Sequence, residues 1–131
     1  MQHGHQLWFR SELGNEEFDQ DTRARAQRMA ERCIARFGGV LGNIAERSAD
    51  ALDRKPDVAH LPIGPQQIAG NFLVTMKALK FDEYSIEIVQ ELFNRFVLDR
   101  LGQLYGDCNV RLQEAGFMTR SEQEAFSRVR A

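Results

Sequence analysis

The sequence has few cysteines and no long apolar run, and both features restrict the class of protein. Its 131 residues include two cysteines, Cys33 and Cys108, which lie far apart and form no Cys-x-x-Cys motif. Each falls on the apolar stripe of a predicted helix, where a free cysteine packs as a small hydrophobe. We therefore expect no disulfide framework and a reducing, cytoplasmic environment. No apolar run reaches the ~18 residues that span a membrane, so no membrane insertion is expected.

The sequence also lacks a strong charge of either sign. Its net charge is −2 at neutral pH, whereas a dedicated nucleic-acid-binding domain needs a basic surface to neutralise phosphates. The composition therefore argues against nucleic acid as the partner. Hydrophobic residues make up 43% of the chain and charged residues 27%, which is typical of a globular protein that buries a core. A single domain over residues 1–131 fits this length.

No familiar catalytic motif stands in the sequence. The glycine-rich stretch 38–42, Gly-Gly-Val-Leu-Gly, looks like a phosphate-binding loop, but it follows a predicted helix instead of a strand. A kink or a close helix contact is the better interpretation. The carboxylates Glu83, Glu87 and Glu91 share one solvated helix face, whereas acid–base catalysis needs two carboxylates in different environments. We predict no catalytic residue, and hence no enzyme.

Metal and cofactor sites are not indicated either. His3 and His5 are two residues apart near the N-terminus, without a fixed third and fourth ligand beside them. His60 stands alone in a linker beside Pro62, where a surface or packing role is the usual one. We therefore predict no metal site and no cofactor.

Apolar residues recur at intervals of three and four along most of the chain, and alternation of the strand type does not stand out. This periodicity predicts an all-α fold, a helical bundle of four to five helices. The predicted segments are an arm or short helix over 1–14, a helix pair or one kinked helix over 15–54, and helices over 65–80, 83–115 and 121–130. The helix over 83–115 is the longest single element, at roughly 50 Å.

The region 15–54 contains an interruption whose effect the sequence leaves open. Gly38 and Gly39 together lower helix stability by roughly 2 kcal/mol relative to alanine, yet the apolar periodicity continues in the same phase on both sides. Two collinear helices and one long helix weakened at its middle are both compatible with this pattern. Lys55-Pro56 then ends the helical region, because proline disfavours helix in the residue before it.

Several short signals mark the ends and bends of the later helices. Gly116 fits the left-handed position that follows a helix, with Phe117 folding back in a Schellman motif. Ser121 and Glu124 have the spacing of a capping box for the last helix. Gly102 and Gly106 are positions at which the predicted long helix can bend.

Large apolar side chains form the first candidate interaction surface. A neighbouring helix of 15–17 residues is about 25 Å long and covers only half of the predicted long helix. The N-terminal arm also carries a cluster of large apolar side chains that needs cover. That cover comes from the chain's own core, from another protein, or from a second copy related by two-fold symmetry. The candidate surface residues are Leu7, Trp8, Phe9, Phe93, Phe96 and Tyr105.

An arginine stripe is the second candidate surface. Arg25, Arg28, Arg32 and Arg36 advance by three, four and four residues, so they line one side of the first helix. One interpretation is an anion-facing surface for an acidic partner helix or a nucleic-acid backbone. The other is a solvated flank whose arginines pair with the three glutamates of the predicted long helix. The availability of those carboxylates favours the second interpretation.

Part of the sequence resembles a known family. The resemblance is carried by Leu61-Pro62-Ile63-Gly64-Pro65, the helix from Gln66 to Lys80, the pattern Leu92-Phe93-x-x-Phe96-Val97-Leu98 and the ending Leu112-x-x-Ala115-Gly116-Phe117. These segments are similar to the middle section of long, mostly helical bacterial proteins of unassigned function, some of which are labelled thymidine phosphorylase. The resemblance covers about half of the chain. It implies a domain excised from a larger helical protein, and it transfers no catalytic residue.

Two functions from different classes are consistent with these observations. The leading hypothesis is a non-enzymatic helical module that binds another protein or a second copy of itself, within a larger bacterial regulatory protein. The alternative is a regulatory domain that binds an anionic ligand or nucleic acid through the arginine stripe. The alternative alone predicts binding that weakens steeply with salt.

Overall fold

A computed structural model describes residues 18–130 of the chain. Five α-helices follow one another in this range: α1 over Gln20–Leu52, α2 over Pro65–Ala78, α3 over Glu83–Phe96, α4 over Gly102–Glu114 and α5 over Arg120–Arg130. Two short 3-10 turns, Val58–His60 and Leu98–Arg100, lie between them. No strand occurs within these residues. The all-α class that the periodicity predicts is confirmed.

The longest helix is α1, which spans 33 residues. It begins after Asp19, whose carboxylate accepts a hydrogen bond of 2.7 Å from the backbone N–H of Thr22 and so caps the first turn. Inside α1, Phe37 departs from helical geometry, with φ −116° and ψ 18°. Because Phe37 directly precedes Gly38-Gly39, the interruption that the sequence predicts lies here, and α1 consists of two helical segments that meet at a kink.

The single helix predicted over 83–115 is divided in the structure into α3 and α4. Val97, directly after α3, has φ −116° and ψ −66°, and the turn Leu98–Arg100 follows it. The departure from the helix places Leu98 and Leu101 in buried positions, at 1% and 9% exposure. The predicted helix is divided here because the turn buries Leu98 and Leu101, and burying a large apolar side chain removes it from water, which is favourable.

Gly102 is the first residue of the second part of this region, α4. A Cβ atom at this first residue of α4 would lie 2.7 Å from the ring of Phe37. A larger residue therefore displaces the Phe37 ring. Gly102 is one of the positions at which the sequence permits a bend, and the contact with Phe37 explains why the chain needs glycine there.

The described residues form two compact units. Unit 1 comprises residues 18–36 and 59–100, and unit 2 comprises residues 37–58 and 101–130. One boundary therefore falls at the kink in α1, and another falls after the turn Leu98–Arg100. The single domain expected from the length of the chain stays a prediction.

Unit 1 is built around the first half of α1 and the pair α2 and α3. Pro65 occupies the first turn of α2 after Gly64, where its missing N–H leaves no helical bond unmade. The Asp82 side chain accepts a hydrogen bond of 2.8 Å from the backbone N–H of Ser85 and caps α3. The rings of Phe72 in α2 and Phe93 in α3 stack with centroids 4.2 Å apart. The buried apolar residues of unit 1 are Phe18, Ala26, Met29, Ala30, Cys33, Leu61, Ala69, Leu73, Ile86 and Leu98.

Phe18 packs on α2 so closely that position 70 has no room for a side chain. A Cβ atom at Gly70 would overlap the Phe18 ring, and that ring is buried. We predict that Gly70→Ala lowers the free energy of unfolding by about 1–3 kcal/mol, because the ring must move within a packed core. Chemical denaturation followed by circular dichroism measures this change.

Gly42→Ala is the matched control for that prediction. Gly42 also lies inside a helix, and nothing stands within 4 Å of a Cβ atom built on it. The same substitution there is expected to raise the free energy of unfolding by about 0.5–1 kcal/mol, since alanine is the better helix former. Equal effects at the two glycines would contradict the described packing of Phe18.

The N-terminal cap of α1 predicts a dependence of stability on pH. Hydrogen bonds from Thr22, with a smaller contribution from Lys77, lower the pKa of Asp19 from 3.8 to about 2. A lowered pKa in the folded state stabilises the fold above the unfolded value, and this stabilisation is lost as pH falls through the folded value. We predict that the stability difference between the wild type and Asp19→Asn is constant near pH 7 and disappears between about pH 4 and pH 2. Urea denaturation at several pH values tests this, with Asp21→Asn as the control in the same turn.

Unit 2 is built from the second half of α1, α4 and α5. The ring of Tyr105 is fully buried and meets the Phe37 ring edge to face, with centroids 6.2 Å apart. Leu41, Ile44 and Ala45 of α1 complete this core together with Leu101.

The end of α4 has the predicted Schellman motif. Gly116 has φ +94°, the Phe117 N–H donates to the Leu112 carbonyl at 3.1 Å, and the Gly116 N–H donates to the Gln113 carbonyl at 3.0 Å. Both bonds satisfy carbonyl groups that the helix end would otherwise leave unpaired.

The capping box predicted from Ser121 and Glu124 is wrong, because the cap lies two residues earlier. The Thr119 N–H donates to the Glu122 carboxylate at 3.1 Å, and the Glu122 N–H donates to the Thr119 hydroxyl at 3.3 Å. Arg120 therefore starts α5. The same Glu122 side chain is bound by Arg47, a tertiary contact that the local spacing does not reveal.

Candidate interaction surface

Helix α3 carries more apolar side chains than the core of unit 1 covers. Ile86 is buried and Phe93 is half-buried. Four further large apolar side chains are exposed: Tyr84 at 74%, Ile88 at 47%, Leu92 at 48% and Phe96 at 53%. Because these positions are four residues apart, they follow one another along the same side of the helix. We refer to these four residues as the α3 row.

The α3 row is large for an exposed apolar patch. With about half of each side chain in water, the four residues expose on the order of 400 Å². The largest apolar patch on a typical monomer is roughly 300–600 Å² and is often functional. A single exposed leucine needs no explanation, whereas a continuous row of this size marks a candidate contact surface.

A row of charged residues runs beside the α3 row. Each residue of the α3 row follows a charged one in the sequence, and these are Glu83, Glu87, Glu91 and Arg95. They are also four residues apart, so they form a parallel row, which we refer to as the charged row. Its sign changes from negative to positive toward the C-terminal end of α3. At that end the Arg100 guanidinium lies over the Phe96 ring, 5.5 Å from its centroid.

Part of the charged row is already paired within unit 1. The Arg25 guanidinium forms an ion pair with the Glu83 carboxylate. Within residues 18–130, Glu87, Glu91 and Arg95 take part in no ion pair. Their charges are therefore available to a partner that covers the α3 row.

The structure separates the aromatic residues that the sequence analysis groups together. Phe96 is exposed, as expected for a surface residue, whereas Phe93 stacks on Phe72 inside unit 1. Tyr105 is fully buried in unit 2, so it does not belong to an exposed surface, contrary to the prediction. The reason is that α3 ends at Phe96, so Tyr105 lies in α4 and packs in the core of unit 2. The cluster Leu7, Trp8 and Phe9 lies outside the described residues.

Sequence reasoning missed three members of the α3 row: Tyr84, Ile88 and Leu92. A detectable signal was present, because apolar residues of α3 span an arc of roughly 200° at 100° per residue. A helix that buries one face needs an arc of about 100°. The excess indicates a second apolar face.

The arginine stripe is partly neutralised inside unit 1. Arg25 pairs with Glu83, as the solvated-flank interpretation predicts, and Arg32 pairs with Asp99 at 3.0 Å. The Arg32 side chain is 73% exposed, so this second pair contributes little to stability. Arg28 and Arg36 are exposed.

A buried arginine organises unit 2, and it was not a candidate from the sequence. The Arg47 side chain is 4% exposed, and its Nη1 and Nη2 atoms donate to the two Glu122 carboxylate oxygens at 2.6 and 2.9 Å. Nη1 also donates to the Phe117 carbonyl at 2.8 Å, and Nε donates to Asn109 at 2.9 Å. The hydrogen bonds from Arg47 are the main cause that lowers the pKa of Glu122. This arrangement joins α1, α4 and α5.

A groove of about 470 Å³ lies beside this ion pair in unit 2. Its walls include the apolar side chains of Phe117, Met118, Phe126 and Val129, with Arg47 and Glu122 also lining it. Because the Arg47 guanidinium is bound to three protein groups, it offers little charge to a ligand. The groove is therefore mainly an apolar surface.

A model of a known protein family matches most of the chain. The family model described as "Protein of unknown function (DUF1631) N-terminal domain" matches residues 13–116. The chain belongs to this family. Comparison with curated proteins and with solved structures gives no match.

The match to the DUF1631 N-terminal domain covers α1 to α4, and so the α3 row and the charged row. It extends the resemblance seen over residues 61–117 into the first half of the chain. Helix α5 and the cluster Leu7-Trp8-Phe9 lie outside the matched range. The α3 row is thus part of the DUF1631 domain itself.

The remaining chemical candidates occupy ordinary positions in this DUF1631 domain. The stretch 38–42 lies within the span of α1 and follows a helical segment instead of a strand, so it lacks the strand–loop–helix setting of a phosphate loop. His60 is exposed in the turn Val58–His60. Neither Cys33 nor Cys108 is part of a disulfide, and burial raises the pKa of the Cys108 thiol, which lowers its reactivity.

Two further properties concern the described part of the DUF1631 domain. Residues 18–130 contain no group of three or more histidine, cysteine, aspartate or glutamate side chains that could hold a metal ion. None of the helices α1 to α5 is long and apolar enough to cross a membrane.

Proposed function

We propose that this domain is a non-enzymatic protein-interaction module, part of a larger bacterial regulatory protein, and that its contact surface is the α3 row. The observation that carries the proposal is the continuous row of four exposed apolar side chains within the family-matched part of the chain. Covering a patch on the order of 400 Å² removes roughly 10 kcal/mol of unfavourable hydration before the costs of association are subtracted. A partner that covers this row therefore has a substantial driving force.

The size of the α3 row also sets the expected strength of binding. If each partner contributes on the order of 400 Å², the buried total is roughly 800 Å², below the 1,200–2,000 Å² of stable specific complexes. The contact is therefore expected to be weak and reversible, with a dissociation constant in the micromolar range or above. Such an affinity suits a regulatory contact within a larger assembly.

Site-specific photo-crosslinking tests the proposal without assuming the identity of the partner. The photoreactive amino acid p-benzoylphenylalanine replaces Leu92 in the full chain, which is produced in bacterial cells and also purified at high concentration. Gln27, an exposed residue of α1 in the same unit, carries the same substitution as the control. A covalent protein adduct from position 92 and none from position 27 supports the proposal. No excess of adducts from position 92 in either sample overturns it.

The alternative function, anion or nucleic-acid binding through the arginine stripe, has less support. Arg25 and Arg32 are paired with carboxylates of unit 1, so at least half of the stripe is locally balanced. We predict no measurable binding of single-stranded or double-stranded nucleic acid in fluorescence anisotropy, even at about 50 mM salt. Binding that weakens with salt and is lost when Arg25, Arg28 and Arg32 are all replaced by alanine would instead establish the alternative.

A further inference from the structure

We infer that the partner of the α3 row is a second copy of the same domain, packed antiparallel across a two-fold axis. This inference rests on the proposed function, because it uses the same surface. It adds which molecule covers that surface and in which direction it lies.

The sign change along the charged row is the first argument. In a two-fold pair, each copy presents the same surface to the other. With α3 helices parallel, the two-fold axis runs along the helices and places the two charged rows on opposite sides of the contact. Glu87 and Arg95 then meet no residue of the other charged row. With the helices antiparallel, Glu87 faces Arg95 of the second copy at two equivalent places. Only Glu91 then faces the same residue, Glu91 of the second copy. The charges therefore favour the antiparallel arrangement.

The availability of these charges is the second argument. Neither Glu87 nor Arg95 forms an ion pair within residues 18–130. Both are exposed and lie directly beside the α3 row. When the direction of the helix is reversed, the negative Glu87 matches the positive Arg95, so this surface is complementary to itself. A second copy needs this property, whereas an unrelated partner does not.

The spacing of the α3 row is the third argument. Side chains four residues apart form a ridge, and two such ridges pack into each other's grooves when the helices cross at about 50°. Contact is then concentrated at the middle of each helix, where Ile88 and Leu92 lie. Tyr84 and Phe96 lie at the two ends, so an antiparallel copy brings one aromatic end near the other.

Charge reversal tests the inference by sedimentation velocity on the full chain between about 5 and 500 µM at low salt. The wild type is expected to form a reversible dimer. Glu87→Arg and Arg95→Glu are each expected to weaken it about tenfold, because each single reversal makes two attractive contacts repulsive. The double variant, which exchanges the two charges, is expected to restore the wild-type dissociation constant to within about threefold. At about 0.5 M salt the differences should largely vanish.

The outcomes separate this inference from the proposed function. If single reversals leave dimerisation unchanged, the antiparallel orientation is overturned while self-association stands. If the chain stays monomeric and position 92 crosslinks to a different protein, the second copy is overturned while the interaction module stands. If removal of residues 1–12 turns a monomer into a dimer, the chain's own Leu7-Trp8-Phe9 segment is the occupant, which also overturns the inference. Circular dichroism of each variant confirms that the fold is retained.

Discussion

Replacing Arg47 by methionine lowers the free energy of unfolding by about 2–4 kcal/mol. The buried guanidinium makes four hydrogen bonds, to Glu122, Phe117 and Asn109. Methionine fills a similar volume but leaves the Phe117 carbonyl and the Asn109 side chain without their donor. The Glu122 carboxylate is 40% exposed, so water replaces part of its loss, which keeps the effect below that of a fully buried pair.

Arg47→Lys and Glu122→Gln are the control variants for Arg47→Met. Arg47→Lys keeps the charge but cannot bind the carboxylate in a fork, so an intermediate loss is expected. Glu122→Gln is expected to have the smaller effect of the two partners, because its side chain is partly solvated. Urea denaturation of the three variants gives the comparison. If Arg47→Met changes the free energy of unfolding by less than about 0.5 kcal/mol, the described network does not hold unit 2 together.

The same network makes the effect of Arg47→Met depend on pH. Because Arg47 lowers the pKa of Glu122 below its ordinary value of 4.5, the ion pair stabilises the fold above that value. The stabilisation is lost as pH falls through the lowered pKa of the folded state. The difference between wild type and Arg47→Met should therefore be largest near neutral pH and decrease in acid.

Leu92→Asp is expected to weaken self-association by at least about 100-fold. The substitution removes a large apolar side chain from the centre of the α3 row and places a charge where the partner would bury it. Two-fold symmetry doubles the effect, because both copies carry the change. Analytical ultracentrifugation at increasing concentration measures the dissociation constant.

Leu104→Asp is the matched control for Leu92→Asp. The two leucines have nearly the same exposure, 48% and 47%, but Leu104 belongs to α4 and not to the α3 row. The control is expected to leave the dissociation constant unchanged, and both variants should keep their thermal stability because neither site is buried. Equal weakening by the two substitutions would show that association depends on general surface hydrophobicity and not on the α3 row.

Local sequence signals predict much of the secondary structure. The start of α2 at Pro65 and the end of α4 at Gly116 both follow from backbone preferences of single residues. The division between α3 and α4 does not follow from them, because helical periodicity continues across Val97. The division depends on the burial of Leu98 and on the contact between Gly102 and Phe37. Gly102 and Phe37 are far apart in sequence, so local signals do not reveal their contact.

The candidate surface is only partly predictable for a related reason. Periodicity identifies Phe96 as a member of an apolar face, but α3 has two adjacent apolar rows. The pattern cannot tell which row faces the core and which faces water, so Tyr84, Ile88 and Leu92 escape notice. The pairing of Arg47 with Glu122 joins residues 75 positions apart, and no local spacing indicates it.

Light scattering on a size-exclusion column, across a range of protein concentrations, shows whether two copies of the chain associate through the α3 row. The mass of the full chain is expected to rise reversibly from that of a monomer toward twice that value. Leu92→Asp is expected to stay monomeric, while Leu104→Asp follows the wild type. A monomer mass at every concentration up to about 500 µM, both for the full chain and for the chain without residues 1–12, would contradict self-association through the α3 row.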